Sequence, residues 1–66
     1  MKLLVNGDRR DVAEGATVAD LVNEMETPRS GVAVAVNGEV VPRAGWQEAS
    51  LSEGDRVEVL SAIGGG

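Results

Sequence analysis

Two Asn-Gly pairs, Asn6-Gly7 and Asn37-Gly38, constrain the fold of this 66-residue chain more than any other feature. Each lies between short apolar segments and predicts a β-hairpin, because a type I′ turn needs positive φ at both central residues. The first hairpin pairs LLV with a charged strand that Val12 and Ala13 complete, and such charge is typical of a sheet edge. The second pairs VAVAV with a strand that ends at Pro42.

A single helix is predicted between the two hairpins. Thr17 and Asp20 have the spacing of a capping box. Four apolar residues follow at helical spacing, namely Val18, Leu21, Val22 and Met25. Pro28 ends the helix no later than Thr27, which allows about three turns. In a domain of this size the apolar stripe of the helix has one partner, a single face of a single sheet.

Strand alternation divides the apolar residues between the two faces of that sheet. The helix-facing set is expected to be Leu3, Val5, Val32, Val34, Val36, Val57 and Val59. The opposite, open face then carries Leu4, Ala33, Ala35, Leu60 and Ala62, and exposed apolar side chains of this kind are a candidate partner surface. Trp46 is expected to close one end of the core.

Composition narrows the classes of function. Eleven acids against six bases give a net charge of −5, which argues against binding to nucleic acid or an anionic membrane. The first residues include no apolar run long enough for a signal peptide or a membrane span, so a cytoplasmic location is expected. Cysteine and histidine are both absent. Disulfides and thiolate metal sites are thereby excluded, and we expect no metal site.

Carboxylates are the remaining candidates for catalysis. Most occupy turns, the outer helix face or the irregular segment, namely Glu14, Glu24, Glu26, Glu39, Glu48, Glu53 and Asp55. Acids in such places are typically solvated, and a chain this small has little room for a pocket that excludes water. The closing IGGG lacks the lysine and the helix of a phosphate-binding loop. We therefore do not expect an enzyme.

The sequence SAIGGG follows the last strand directly. Residues without Cβ pass through a narrow channel at no steric cost, so such a tail can present its terminal carboxylate to a nucleotide phosphate. The sequence therefore predicts a folded domain over 1–63 and a flexible tail formed by Gly64, Gly65 and Gly66.

The whole chain resembles the bacterial sulfur carrier proteins of thiamine biosynthesis, which are ubiquitin-like. The resemblance rests on LLVNG, ATVADLV, VAVAVNGEVVPRAGW, EGDRVEVL and the terminal Gly65-Gly66. NGEVVPRAGW is its specific part, whereas the glycine pair is shared by all ubiquitin-like carriers. The resemblance implies an α+β, β-grasp fold: a mixed sheet of four or five strands with one helix on one face. A third glycine, Gly64, departs from some members.

The resemblance also implies a reaction. An adenylyltransferase related to ubiquitin-activating enzymes would use ATP and magnesium to adenylate the carboxylate of Gly66. A cysteine desulfurase or rhodanese-type persulfide would supply sulfur for a thiocarboxylate, and thiazole synthase would take that sulfur. The chain would be a co-substrate with no cofactor of its own. Its docking residues would be Leu4, Ala33, Ala35, Leu60, Ala62 and Ile63, and its glycine tail would enter the partner's active site.

Three alternatives stay open at this point. The chain resembles carriers of other pathways, such as the small subunit of molybdopterin synthase, which is usually longer and lacks the NGEVVPRAGW segment. A ubiquitin-like modifier conjugated to lysines would share the tail. A non-catalytic interaction domain would have the same fold and an inert terminus.

Overall fold

The last strand of the chain lies at the centre of the sheet. The computed structural model describes residues 1–25 and 31–61. Within them, five strands form one sheet: β1 (Lys2–Val5), β2 (Asp8–Asp11), β3 (Val32–Val36), β4 (Glu39–Val41) and β5 (Arg56–Ser61). Their order is β2-β1-β5-β3-β4, with β1 parallel to β5 and the other neighbours antiparallel. The mixed sheet with one helix confirms the predicted α+β, β-grasp class.

Both Asn-Gly pairs form the predicted hairpin turns. Asn6 and Asn37 each have φ of 52°, and Gly7 and Gly38 have φ of 86° and 87°. Val5 pairs with Asp8 across the first turn, and Val36 pairs with Glu39 across the second. Each loop therefore has two residues, the length that type I′ turns connect.

The second strand is an edge strand, as its charge predicts, but it is shorter than expected. It ends at Asp11, and Ala13 lies outside it and is exposed. Val12 is buried, and its N–H donates to the carbonyl of Met1 at 2.9 Å. The strand therefore ends before Val12, whose side chain packs in the core, and Ala13 follows it at the surface. Strand alternation in the sequence does not distinguish this arrangement from a longer strand.

The helix α1 (Val18–Glu24) begins at the predicted capping box. The Asp20 N–H donates to Thr17 Oγ1 at 3.3 Å, and the Thr17 N–H donates to Asp20 Oδ2 at 3.0 Å. The prediction of three turns was wrong, because the helix has seven residues, about two turns. Met25 is the C-cap and half-buried, so its side chain continues the apolar period although the helical residues have ended.

The core lies between α1 and one face of the sheet. Buried hydrophobic residues come from the helix, from alternate strand positions and from the segment before β5: Leu3, Val5, Val12, Ala16, Val18, Leu21, Val22, Val34, Trp46, Leu51, Val57 and Val59. Trp46 is 5% exposed, and its indole N–H donates to the carbonyl of Val41 at 2.9 Å. Trp46 therefore packs in the core, and its closing one end of the core stays a prediction.

Candidate functional site

The candidate site starts where β5 ends. Ser61, the last described residue of this strand, pairs with Val32 at the beginning of β3. Residues 62–66 follow it in the sequence. The predicted tail residues Gly64, Gly65 and Gly66, the predicted docking residues Ala62 and Ile63, and the domain boundary at residue 63 all lie outside the described residues. The described part of the site is therefore the sheet surface around the end of β5.

An apolar patch covers the open face near this end of β5. Leu60 lies directly opposite Ala33 on β3, and Ala35 lies opposite Val40 on β4. Leu60 is 66% exposed and Val40 is 74% exposed. Because residues opposite each other have Cβ atoms about 5 Å apart, these four side chains form one surface. We refer to Ala33, Ala35, Val40 and Leu60 as the apolar patch.

Val40 is the member of this patch that the sequence analysis missed. The strand β4 has only three residues, too few to show a period of two. The signal was nevertheless present, because a two-residue turn at Asn37-Gly38 places Val36 opposite Glu39 and Ala35 opposite Val40. Applying the register of the turn would have assigned Val40 to the open face.

Leu4, also predicted for this surface, lies on the same face but apart from the patch. Its neighbours across the sheet are Arg9 on β2 and Arg56 on β5. Leu60 is further along β5, beyond Glu58, which stands opposite Ala35. Leu4 is 38% exposed, the least of the exposed large hydrophobic side chains. The structure therefore brings Ala33, Ala35 and Leu60 together and leaves Leu4 between two arginines.

Charge is distributed unevenly between the two faces. Among the charged residues of the described strands, the alternation that places Leu4 and Leu60 on the open face also places three basic and two acidic residues there. These residues are Lys2, Arg9 and Arg56, with Asp11 and Glu58. These strand positions therefore carry a net charge of +1, in a chain whose net charge is −5. The open face is suited to a partner surface that combines apolar and acidic groups.

Two cavities of about 300 Å³ each lie beside α1, away from the apolar patch. Among residues 1–25 and 31–61, no three His, Cys, Asp or Glu side chains lie close enough to hold a metal ion. One of these cavities lies between α1 and the segment 43–47, on the helix side of the sheet. Its lining includes Arg43, Asn23 and Trp46 but no carboxylate. The other cavity lies beside residues 13–16, and its lining includes Glu14, Asp20 and Glu24. In the same part of the chain, no helix is long and apolar enough to cross a membrane.

The described sheet and its one α-helix define the class of ubiquitin-like, β-grasp proteins, and a glycine run follows the central strand in the sequence. The model of the ThiS family matches residues 3–66, and the chain belongs to this family, the sulfur carriers of thiamine biosynthesis. It is 32% identical to the sulfur carrier protein ThiS of Escherichia coli over 66 residues, the whole of both proteins. It is also 36% identical to a thiazole synthase of Paramagnetospirillum magneticum, over all of this chain but 20% of that protein.

Solved structures agree with this assignment. The crystal structure of a thiamine biosynthesis protein (ThiS) from Geobacter metallireducens superposes with a TM-score of 0.84 at 36% identity, covering the whole of both chains. The solution structure of a thiamine biosynthesis protein from the same organism gives a TM-score of 0.81, covering all of this chain and 88% of the other. Family membership confirms the resemblance and the prediction of a carrier rather than an enzyme. It favours a sulfur carrier of thiamine biosynthesis over a carrier of another pathway, a protein modifier or an inert interaction domain.

Proposed function

We propose that this protein carries sulfur as a thiocarboxylate on Gly66 and delivers it to thiazole synthase. The observation that carries the proposal is the family match, which extends over residues 3–66 and so includes the glycine run. The chain has no cysteine, so no thiol of its own can hold sulfur as a persulfide. A terminal carboxylate is the reactive group that such a chain offers.

The carboxylate needs activation before it accepts sulfur. In the proposed reaction a carboxylate oxygen of Gly66 attacks the α-phosphorus of ATP, forms an acyl-adenylate and releases pyrophosphate. Persulfide sulfur from a cysteine desulfurase or rhodanese-type donor attacks the acyl carbon, and AMP leaves with that oxygen. Reduction of the resulting acyl disulfide by a thiol frees the thiocarboxylate. ATP and magnesium belong to the adenylyltransferase partner, and this chain supplies the acyl group and binds no cofactor.

The three glycines suit this chemistry. Gly64, Gly65 and Gly66 have no side chains, so the segment they form needs a channel only as wide as a main chain. A narrow channel keeps water away from the acyl-adenylate, which water would otherwise hydrolyse. Because adenylation consumes ATP, we place the carrier and its partners in the cytoplasm.

Docking on the adenylyltransferase is assigned to the open face. The apolar patch lies at the end of β5, so a partner that covers it also lies close to the start of residues 62–66. Leu60 and Val40 are the most exposed large hydrophobic side chains of the patch. Ala62 and Ile63, which follow Ser61 in the sequence, are further proposed docking residues. Leu4, between Arg9 and Arg56, belongs to the rim, where acidic partner residues would set orientation.

Thiazole synthase is the proposed acceptor of the sulfur. The relative from Paramagnetospirillum magneticum is named a thiazole synthase, and this chain matches a fifth of its length. A carrier-like segment within a thiazole synthase supports a direct contact between carrier and synthase. The same tail would then enter two active sites in turn, first to gain sulfur and then to lose it.

The test is the mass of the intact protein after reaction. The chain is incubated with the adenylyltransferase, ATP, magnesium and a persulfide donor with a reductant, and we expect one oxygen to be replaced by sulfur. Omitting ATP should leave the mass unchanged, and adding thiazole synthase with its other substrates should restore the original mass. The E. coli relative is the positive control for enzyme activity. An unmodified chain beside a modified control would refute the proposed function.

A further inference from the structure

The two strands next to β5 pair with very different lengths of it. On one side, β3 pairs with it along its length, from Val36 opposite Val57 to Val32 opposite Ser61. On the other side, β1 reaches only Arg56 and Val57. The main-chain bonds at the two ends of this short ladder include Leu4 N–H to the Asp55 carbonyl at 3.0 Å and Asn6 N–H to the Val57 carbonyl at 2.9 Å. Beyond Val57 the chain of β1 has already turned away at Asn6-Gly7.

The side chain of Asn6 continues the ladder where the main chain of β1 stops. The Val59 N–H donates to Asn6 Oδ1 at 2.9 Å, and Asn6 Nδ2 donates to the Val59 carbonyl at 3.2 Å. One amide group thus satisfies both polar groups of Val59, as a further strand residue would. Both bonds are partly buried and join residues 53 positions apart in sequence.

Asparagine is the residue type best able to form this contact. Its position has φ of 52°, in the left-handed region that Asn, Asp and Gly tolerate. Of these three, only Asn carries both a donor and an acceptor on its side chain. Aspartate would accept from the Val59 N–H but could not donate to the carbonyl, and glycine would do neither.

We propose that Asn6 is a positioning residue for the carrier reaction, because its amide holds the last part of β5 in the sheet and so fixes the point from which the reactive segment starts. This inference rests on the proposed function. Residues 62–66 span at most about 17 Å when fully extended, so the reach of the carboxylate depends on where Ser61 is held. A displacement of about 1 Å at a reacting group can cost about a hundredfold in rate.

Asn37 provides a matched control. It has the same φ of 52°, precedes a glycine in the same kind of turn, and its amide also bonds to β5. The Arg56 N–H donates to Asn37 Oδ1 at 3.0 Å, and Asn37 Nδ2 donates to Asp55 Oδ1 at 3.0 Å. These bonds hold the beginning of β5, at the opposite end from Ser61. The two asparagines therefore hold opposite ends of the strand, and the Asn6 bonds are partly buried whereas the Asn37 bonds are exposed.

The experiment compares Asn6→Gly with Asn37→Gly in the complete carrier. Glycine removes the amide and keeps the positive φ without strain, so both variants should fold. Asn6→Gly should lose more stability, because its bonds are partly buried and those of Asn37 are exposed. We expect Asn6→Gly to lower kcat for thiocarboxylate formation about tenfold while KM for the carrier changes less than about threefold. For Asn37→Gly, kcat should stay within about twofold of the wild type. Amide exchange of Val59 should accelerate only in Asn6→Gly.

Asn6→Asp adds a graded test, because it keeps the bond from the Val59 N–H and loses the bond to the Val59 carbonyl. Its kcat should lie between those of the wild type and Asn6→Gly, and it can replace Asn6→Gly if that variant does not fold. Equal effects of the Asn6 and Asn37 substitutions on kcat, or faster Val59 exchange at unchanged kcat, would overturn the positioning role while leaving the carrier function intact. A wild-type chain that forms no thiocarboxylate would instead overturn the carrier function itself.

Discussion

Leu60 lies directly opposite Ala33 across the ladder between β5 and β3, one residue before the last described residue of the sheet. Leu60 is 66% exposed, so its side chain contributes little to the core and much to the open surface. Because Ala33 is small, it leaves the leucine side chain standing above the sheet. This pair is the part of the apolar patch nearest to the reactive segment.

Replacing Leu60 with serine should weaken docking rather than folding. We expect KM of the adenylyltransferase for the carrier to rise about tenfold, as for the loss of an apolar residue central to an interface. The free energy of unfolding should change by less than about 0.5 kcal/mol, because the side chain is largely exposed. Steady-state kinetics and thermal unfolding measure the two effects.

Leu4→Ser is the matched control for that substitution. Leu4 is on the same face but lies between Arg9 and Arg56, outside the apolar patch. We expect its KM to rise less than that of Leu60→Ser. Equal increases for the two variants would show that the docking surface covers the whole open face, and an unchanged KM for Leu60→Ser would contradict docking through the patch.

The capping box at α1 should contribute to stability without affecting the reaction. In Thr17→Ala the Asp20 N–H loses its acceptor, and removal of an N-cap side chain typically costs about 1 kcal/mol. For a domain of this size that corresponds to a fall in Tm of about 4–8 °C. Thr17→Ser keeps the hydroxyl and should lose much less. If Thr17→Ala and Thr17→Ser have the same Tm, the hydroxyl does not stabilise the helix.

The indole of Trp46 should stabilise the fold through its hydrogen bond as well as its volume. Trp46→Phe leaves the Val41 carbonyl without its partner and should cost about 1–2 kcal/mol, whereas Trp46→Ala should cost about 3–5 kcal/mol. Trp46 is the one aromatic residue of the chain, so circular dichroism must replace fluorescence for these variants. Gln47→Ala, at the exposed neighbouring position, should stay within about 0.5 kcal/mol of the wild type.

Local signals in the sequence predicted much of this fold. The Asn-Gly pairs fixed two turns because positive φ at two successive residues is rare, and Thr17 with Asp20 fixed the start of α1. Features that depend on distant pairing were not predictable in the same way. The separation of Leu4 from Leu60 follows from the parallel register of β1 and β5, which no turn specifies. The bonds from Asn6 to Val59 join residues 53 positions apart, so no local pattern indicates them.

Gly66 should be essential for sulfur transfer and unimportant for folding. Every buried core residue of the described structure lies between Leu3 and Val59, so deleting Gly66 removes nothing that packs in that core. We expect the deletion to abolish thiocarboxylate formation, because the new terminal carboxylate on Gly65 no longer reaches the position of the wild-type group. Its Tm should equal that of the wild type. Intact mass and thermal unfolding are the two measurements.

The Gly66→Ala variant distinguishes two requirements of the reaction, the length of the tail and the absence of a side chain at its last residue. It keeps the carboxylate at its position and adds one methyl group, so a narrow channel should slow its reaction without abolishing it. The deletion variant should therefore form no thiocarboxylate, and the alanine variant should form it slowly. A Gly66 deletion that still gains sulfur would show that the reactive group is not the Gly66 carboxylate, and a fall in Tm would show that the terminal residue contacts the folded domain.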